Sequence, residues 1–184
     1  MRTGEVVDHF ATHVILATGG AGNLYEHTTN PPTATGDGIA MAIRADVPVR
    51  DMAFVQFHPT ALYAKKSGRV SLISEAVRGA GARLRGADKR PLMTGLHPMG
   101  DLAPRNIVAR AIHHEMQQHA MPHVWLDASP IGSHRFAAEF PGIARDCAAI
   151  GLVPGRDLLP VMPAAHYLCG GVRTDDRGRT ALAG

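Results

Sequence analysis

The fold is most constrained by one stretch near the end of the first third of the chain, Met52-Ala53-Phe54-Val55-Gln56-Phe57-His58-Pro59-Thr60. Residues 52–57 are mostly apolar or aromatic and predict a strand. Because proline has no N–H to donate to a strand ladder, we expect the strand to end at His58-Pro59-Thr60. Polar side chains at such a strand end are candidates for a functional site.

Upstream of this stretch, residues 12–18 form a β-branched, apolar run that is closed by the turn Gly19-Gly20-Ala21-Gly22. This pattern predicts a buried strand that enters a tight turn. Residues 28–37 are polar and rich in turn formers, and the apolar residues that follow predict a helix over 39–45.

Downstream, helices are predicted over residues 74–84, 106–119 and 135–150, with Asn106 as a helix cap after Pro104. A short strand is predicted at residues 124–126, and residues 164–184 return to strand and turn character. The order of elements predicts an α/β domain, residues 1–57 and 164–184, that is interrupted by an α+β domain, residues 58–163.

Composition limits the class of protein. The chain has 184 residues, of which 45% are hydrophobic and 19% charged, with 20 glycines. These values are typical of a globular protein and exclude collagen, coiled coil and disorder. No apolar run approaches the roughly 20 residues of a membrane span, and no signal-peptide segment is evident at Met1 to Phe10. We therefore expect a cytoplasmic protein without a membrane partner.

Charge and cysteine content give little support for a metal or nucleic-acid site. The net charge is +3, and Cys147 and Cys169 are expected to be reduced thiols. His114 and His119 are five residues apart, not the four that align two zinc ligands on a helix, so we predict no metal site. The basic cluster Arg83, Arg85, Lys89 and Arg90 is interrupted by Asp88 and contains no aromatic residue, which favours a solvated loop over nucleic-acid binding.

Two glycine-rich turns could bring backbone amides close to a ligand. Gly36-Asp37-Gly38 precedes the predicted helix 39–45, where helix amides favour an anion, and residues 19–22 follow the first predicted strand. Neither turn is a GxGxxG dinucleotide fingerprint. Ordinary loops are the alternative interpretation.

Five polar residues lie at predicted element boundaries: His58, Ser74, Glu75, Arg105 and His166. Together these residue types would suit a small dicarboxylate, since an arginine offers a two-pronged donor to one carboxylate. Hydroxyl, imidazole and helix amides could bind the other. The alternative is that each residue only caps a helix or pairs locally.

Six motifs occur in order along the chain: Ala17-Thr18-Gly19-Gly20-Ala21-Gly22, Thr35-Gly36-Asp37-Gly38, Gln56-Phe57-His58-Pro59-Thr60-Ala61-Leu62-Tyr63, Ser74-Glu75-Ala76-Val77-Arg78-Gly79, Leu102-Ala103-Pro104-Arg105 and Pro163-Ala164-Ala165-His166-Tyr167. With this set the chain resembles the fumarate reductase and succinate dehydrogenase flavoprotein family, from about Val14 to Gly184. Ala61-Leu62 and the Ala-Pro before Arg105 are similar to the branch that oxidises L-aspartate.

The resemblance implies part of an FAD-binding, Rossmann-like domain in residues 1–57 and 164–184, with a capping domain in residues 58–163. It implies FAD on Thr18, Gly19, Gly20 and Asp37. Arg105 would be catalytic, and His58, Ser74, Glu75 and His166 would bind the dicarboxylate. The implied reaction is oxidation of L-aspartate to iminoaspartate, with oxygen or fumarate as acceptor and a functional link to quinolinate synthase.

Some positions depart from the family pattern. Ala53, Ala80 and Asn106 stand where the family usually has an acidic residue, and the family's GxGxxG start and arginine-bearing end lie outside the chain. We therefore expect a central piece of a longer enzyme that has little activity alone. A fumarate reductase or succinate dehydrogenase subunit and a non-catalytic remnant are the alternatives.

Overall fold

The computed structural model describes residues 6–63 and 68–182. The helices are α1 (Asp37–Arg44), α2 (Glu75–Gly79), α3 (Arg105–Gln118), α4 (Ser133–Glu139) and α5 (Pro141–Ala148). The strands are β1 (His27–Thr28), β2 (Val49–Arg50), β3 (Val55–Leu62), β4 (Gly68–Arg69), β5 (Arg83–Arg85), β6 (Val124–Asp127), β7 (Leu159–Leu168) and β8 (Gly171–Val172).

Strand β7 is the centre of the main sheet. It pairs antiparallel with β3 along nearly its whole length, antiparallel with β6 near its start, and parallel with β1 at Ala165. β5 extends the sheet beyond β6, β4 extends it beyond β1, and β2 and β8 form a separate antiparallel pair. Helices and a mixed sheet confirm the predicted α/β class.

Strand β3 continues through Pro59, so the prediction that the strand ends there was wrong. His58 pairs with Ala164 and the next paired residue is Ala61, opposite Met162. Three steps along β3 therefore match two along β7, and the bulge leaves Pro59 outside the ladder. A bulge relieves the need for a donor at that position.

The main core fills the space between the sheet and the helices α2, α3 and α4. Both the sheet and these helices contribute fully buried residues to it. They include Ile73, Val77, Leu84, Val108, Ile112, Leu126, Phe136 and Leu159. In α3, Val108 and Ile112 are one helical turn apart and both are buried, so this face packs on the sheet. Burying each such side chain contributes about 1.5–3 kcal/mol.

The predicted helices are confirmed in position but differ in length. The predicted helix 74–84 ends at Gly79, because Gly81 adopts a positive φ of 121° and residues 83–85 join the sheet as β5. The predicted helix 135–150 is two helices, since Pro141 begins α5 and cannot continue α4. Helix α3 begins at Arg105, so Asn106 is not its cap.

The predicted strand at residues 12–18 was wrong. These residues have no strand assignment, and Ile15 is 90% exposed. An apolar, β-branched run becomes a strand only when a neighbour can satisfy its backbone groups. No strand among residues 6–63 and 68–182 pairs with this segment.

The predicted domain boundaries stay predictions. Residues 57 and 58 both lie in β3, and residues 163 and 164 both lie in β7, so two paired strands cross the predicted boundaries. Within the described residues, no helix combines the length and the apolar character needed to cross a membrane. In the same part of the chain, no three His, Cys, Asp or Glu side chains are grouped as metal ligands.

Candidate functional site

Arg105 is held by two side chains from different elements. It is the first residue of α3, its Nε donates to Glu75 Oε2 at 3.0 Å, and its Nη1 donates to Gln56 Oε1 at 2.9 Å. Glu75 begins α2 and Gln56 lies on β3. A guanidinium has five N–H donors, so three remain free of these two hydrogen bonds. Arg105 is thus oriented while it keeps enough donors for a carboxylate.

Glu75 also faces a second arginine. Arg78, one turn further along α2, is fully buried, and its Nη2 lies 3.7 Å from Glu75 Oε1. Arg78 Nη1 donates to the backbone carbonyl of Asp101. The hydrogen bond from Arg105 lowers the pKa of the Glu75 carboxyl, with Arg78 acting in the same direction. Glu75 therefore stays ionised and links the two arginines.

His58 and His166 lie on the paired strands β3 and β7. Their ring centroids are 5.2 Å apart in an edge-to-face arrangement. Burial, followed by repulsion from His166 in its protonated form and from Arg105, lowers the pKa of His58 from its ordinary 6.5 to about 3. Burial and then Arg105 lower the pKa of His166 as well. Both imidazoles are therefore neutral at pH 7.

The tautomer of His58 follows from a backbone contact. The Thr60 N–H donates to His58 Nδ1 at 3.2 Å, inside the β3 bulge. A backbone amide can only donate, so Nδ1 carries no proton and a neutral ring carries it on Nε2. His58 thus offers one neutral N–H donor, and the bulge at Pro59 and Thr60 helps to position it.

His166 is held by the turn that follows β1. Thr29 Oγ1 lies 2.6 Å from His166 Nδ1, and Asn30 Nδ2 donates to the His166 carbonyl at 2.9 Å. The contact spans 137 positions of sequence. The turn and the end of β7 therefore form one hydrogen-bonded unit.

Ser74 caps α2, as predicted. Its Oγ accepts a hydrogen bond from the Ala76 N–H at 3.3 Å. Because the cap is Ser74, α2 begins at Glu75, and this places the carboxylate that orients Arg105.

The two glycine-rich turns lie side by side. The Gly36 N–H donates to the Gly20 carbonyl at 3.2 Å, and a Cβ at Gly38 would collide with the Thr18 side chain. Gly19 and Gly36 have positive φ values of 72° and 83°. Asp37, the first residue of α1, accepts a hydrogen bond from Thr35 at 2.9 Å.

Two adjoining clefts run from these turns to His166. One has a volume of about 230 Å³, and its lining includes Thr18, Gly19, Gly20 and His166. The other, of about 70 Å³, lies beside Ala21 and Gly22 and also reaches His166. Because His166 lines both clefts and contacts His58, it connects the glycine turns with the Arg105 cluster.

Most of the predicted site residues therefore form two neighbouring groups. Glu75, Arg105, His58 and His166 are linked by contacts or by shared charge effects, with Ser74 at the helix cap. Thr18, Gly19 and Gly20 line the larger cleft, whereas Asp37 does not line it and is exposed.

Sequence reasoning missed Gln56, Thr29 and Arg78. The period of two in a strand places Gln56 and His58 on one face, and this signal could have identified Gln56. Arg78 is three residues from Glu75 on one helix, which also predicts proximity. No sequence signal connects Thr29 with His166, because the contact depends on how β1 docks against β7.

Comparison with known proteins assigns the family. The FAD binding domain family matches residues 1–184. The chain belongs to this family. It is 49% identical over 176 residues to an L-aspartate oxidase of Streptomyces coelicolor, covering 95% of the chain and 30% of that protein. It is 50% identical over 175 residues to an L-aspartate oxidase of Mycobacterium bovis, covering 95% and 33%.

A solved structure supports the same assignment. A quinol-fumarate reductase with menaquinol molecules superposes with a TM-score of 0.79 and 35% identity, over 90% of this chain and 31% of that one. The chain spans about a third of the length of the curated relatives it matches. These findings confirm the family predicted from the six motifs and FAD as its cofactor.

The glycine turns fit an FAD site. Among residues 6–63 and 68–182, a Cβ built at Gly19 would meet no atom within 4 Å apart from Gly19 and its two chain neighbours, so a ligand can approach the backbone there. The adjoining cleft is lined by the polar side chains of Thr18 and Asn30. Thr18, Gly19, Gly20 and Asn30 are thus suited to hold part of a dinucleotide.

Proposed function

We propose that the chain forms the dicarboxylate-binding part of an FAD-dependent enzyme that oxidises L-aspartate to iminoaspartate. The observation that carries this proposal is Arg105, oriented by Glu75 and Gln56 beside two neutral imidazoles, with His166 extending to the glycine-lined cleft. The relatives that share about half of their aligned residues with this chain are L-aspartate oxidases.

Arg105 would bind one substrate carboxylate. Three of its N–H donors are not used by Glu75 and Gln56, and a planar guanidinium matches a carboxylate with two parallel hydrogen bonds. Its positive charge is partly compensated by Glu75, which lowers the cost of holding it in a pocket. An arginine is a poor base in water, so we assign Arg105 first as a carboxylate clamp and second as a mediator of proton transfer.

His58 and His166 would bind the substrate as neutral donors. Neutral imidazoles can donate to a carboxylate without adding positive charge next to Arg105, whose charge already opposes their protonation. Together these groups would fix the α-carbon relative to the cleft and restrict its rotation.

In this reaction the α-carbon loses a hydride and the amino nitrogen loses a proton, which leaves a C=N bond. When bound, FAD supplies the two-electron acceptor. Thr18, Gly19, Gly20 and Asn30, which line the larger cleft, are residues we propose for FAD. Asp37 is exposed outside this cleft and is proposed for FAD on the family resemblance alone. Oxygen or fumarate as final acceptor, a link to quinolinate synthase and a cytoplasmic location are further parts of the proposal and rest on the family resemblance.

Flavin reduction tests the proposal. We expect L-aspartate to bleach the flavin absorbance of the full-length, FAD-loaded protein under anaerobic conditions. Arg105→Leu should lower the reduction rate by at least about a hundredfold while flavin content is unchanged, because it removes the carboxylate donor. Arg110→Leu, an exposed arginine on the same helix, is the matched control. Unchanged reduction in Arg105→Leu would contradict the assigned role.

Oxidation of succinate, or reduction of fumarate, is the second candidate function. It is favoured by the TM-score of 0.79 to a quinol-fumarate reductase. Succinate, fumarate and L-aspartate all carry the two carboxylates that this site would bind. Reduction of the flavin by succinate and not by L-aspartate would replace the first proposal with the second.

A further inference from the structure

The Thr29 side chain contacts the imidazole of His166, one of the proposed substrate-binding residues. Its Oγ1 lies 2.6 Å from His166 Nδ1, and within the described residues the hydroxyl has no other hydrogen-bond partner. Thr29 is half-buried, as is His166. A half-buried hydroxyl whose single partner is an imidazole nitrogen constrains that imidazole.

The backbone around His166 is held by other groups. The Thr29 N–H donates to the Ala165 carbonyl at 3.0 Å, Thr28 Oγ1 donates to the same carbonyl at 2.8 Å, and Asn30 Nδ2 donates to the His166 carbonyl at 2.9 Å. The Thr29 hydroxyl is therefore not needed to attach the turn to β7. Its contribution is confined to the His166 ring.

We infer that Thr29 is a positioning residue that holds the His166 imidazole in the tautomer with its proton on Nε2. A hydroxyl has one hydrogen to donate, and Nδ1 is the acceptor within reach. If Nδ1 carried the proton instead, the Thr29 hydrogen would have no acceptor among the described residues. Leaving a hydroxyl hydrogen without an acceptor is the less favourable arrangement.

This assignment gives His58 and His166 the same tautomer by two different devices. The Thr60 amide donates to Nδ1 of His58, and the Thr29 hydroxyl donates to Nδ1 of His166. Each ring is left with an Nε2–H donor, which is the group that a carboxylate needs. The role of Thr29 in substrate binding rests on the proposed function, whereas its effect on the tautomer does not.

Two substitutions separate positioning from folding. Thr29→Val keeps the shape and the backbone N–H but removes the hydroxyl, and Thr29→Ser keeps the hydroxyl. In the full-length, FAD-loaded protein we expect Thr29→Val to raise KM for L-aspartate about tenfold with kcat within about twofold. That pattern indicates loss of binding shared by ground and transition states. Thr29→Ser should restore KM to within about threefold, and Thr94→Val, at an exposed threonine, should leave it unchanged.

Nitrogen NMR of the ¹⁵N-histidine-labelled protein gives a readout independent of activity. We expect the His166 signals of the unsubstituted protein to show a protonated Nε2 and an unprotonated Nδ1, and Thr29→Val to shift them toward a mixture. His58 should keep its signals in both proteins. A protonated Nδ1 at His166 in the unsubstituted protein, or unchanged His166 signals in Thr29→Val, would overturn the inference even if the variant folds poorly.

The two proposals fail in distinguishable ways. If L-aspartate does not reduce the flavin but the His166 signals respond to Thr29→Val as described, the proposed function is wrong and the tautomer assignment stands. If L-aspartate reduces the flavin and neither KM nor the signals respond, Thr29 has no positioning role. A rise in KM that Thr29→Ser does not reverse would also overturn the role of the hydroxyl.

Discussion

Residues 14–16 and the centre of the main sheet both consist of apolar side chains, but the first are exposed to solvent and the second are buried. Val14 and Ile15 are 73% and 90% exposed, whereas Leu126 and Leu159 are fully buried. Leu126 and Leu159 face each other across β6 and β7, and helices cover the sheet. Hydropathy alone therefore does not decide burial. Strand neighbours that accept the backbone hydrogen bonds, and a layer that covers the side chains, are both required.

The largest expected change in stability comes from a substitution in the buried core. Phe136 is fully buried in the main core and contacts Phe140 with ring centroids 5.3 Å apart. Phe136→Ala should lower the free energy of unfolding by about 3–5 kcal/mol, because it removes apolar contacts and leaves a cavity. Denaturant unfolding measures this change.

Phe10→Ala is the matched control, since Phe10 is 96% exposed in the N-terminal segment. Its effect should be within about 0.5 kcal/mol. Equal effects of the two substitutions would show that the comparison between the regions is wrong.

A smaller effect concerns a buried ionisable residue in the sheet. The pKa of His58 is lowered by burial to about 3, so in the native state His58 stays neutral while the unfolded chain takes up a proton below about pH 6.5. Stability should fall as pH decreases from about 6.5 toward 3, by at most about 1.4 kcal/mol per pH unit for this one proton. Besides burial, His166, Arg105 and Arg78 lower the pKa of His58, whereas Glu75 raises it.

Denaturant unfolding at pH 7, 6 and 5 checks this dependence. His58→Gln should reduce the slope by up to one proton's contribution, while the lowered pKa values of His123 and His166 leave part of the slope in place. An unchanged slope in His58→Gln would contradict the buried, neutral state of His58.

The smallest expected change in stability comes from a substitution in the exposed residues 14–16. Ile15→Ser removes an apolar side chain that is 90% exposed, so the free energy of unfolding should change by no more than about 0.5 kcal/mol. Thermal unfolding of both proteins measures it. A loss above about 2 kcal/mol would mean that Ile15 is covered in the protein tested and that the two regions do not differ as described.

Much of the fold could be predicted because its signals are local. The apolar face of α3 shows the helical period, Ser74 has the chemistry of a helix cap, and β6 is a short β-branched and aromatic run. The candidate site residues were proposed from their positions at element boundaries and from the six motifs, and their roles stay predictions. Bulges and missing strand neighbours were not predictable in this way, since they depend on pairing between distant parts of the chain. The break in the predicted helix 135–150 does have a local signal, Pro141, which the prediction overlooked.

The sequence by itself determined which residue types stand at the element boundaries, where the helices lie and to which family the chain belongs. Only the tertiary structure decided that Pro59 sits in a bulge, that Gln56 orients Arg105 and that Thr29 contacts His166. The physical reason is the separation along the sequence over which each kind of interaction acts. Propensity, capping and periodicity act over a few residues. The hydrogen bond between Thr29, in the turn after β1, and His166, on β7, joins side chains 137 positions apart and orients the imidazole.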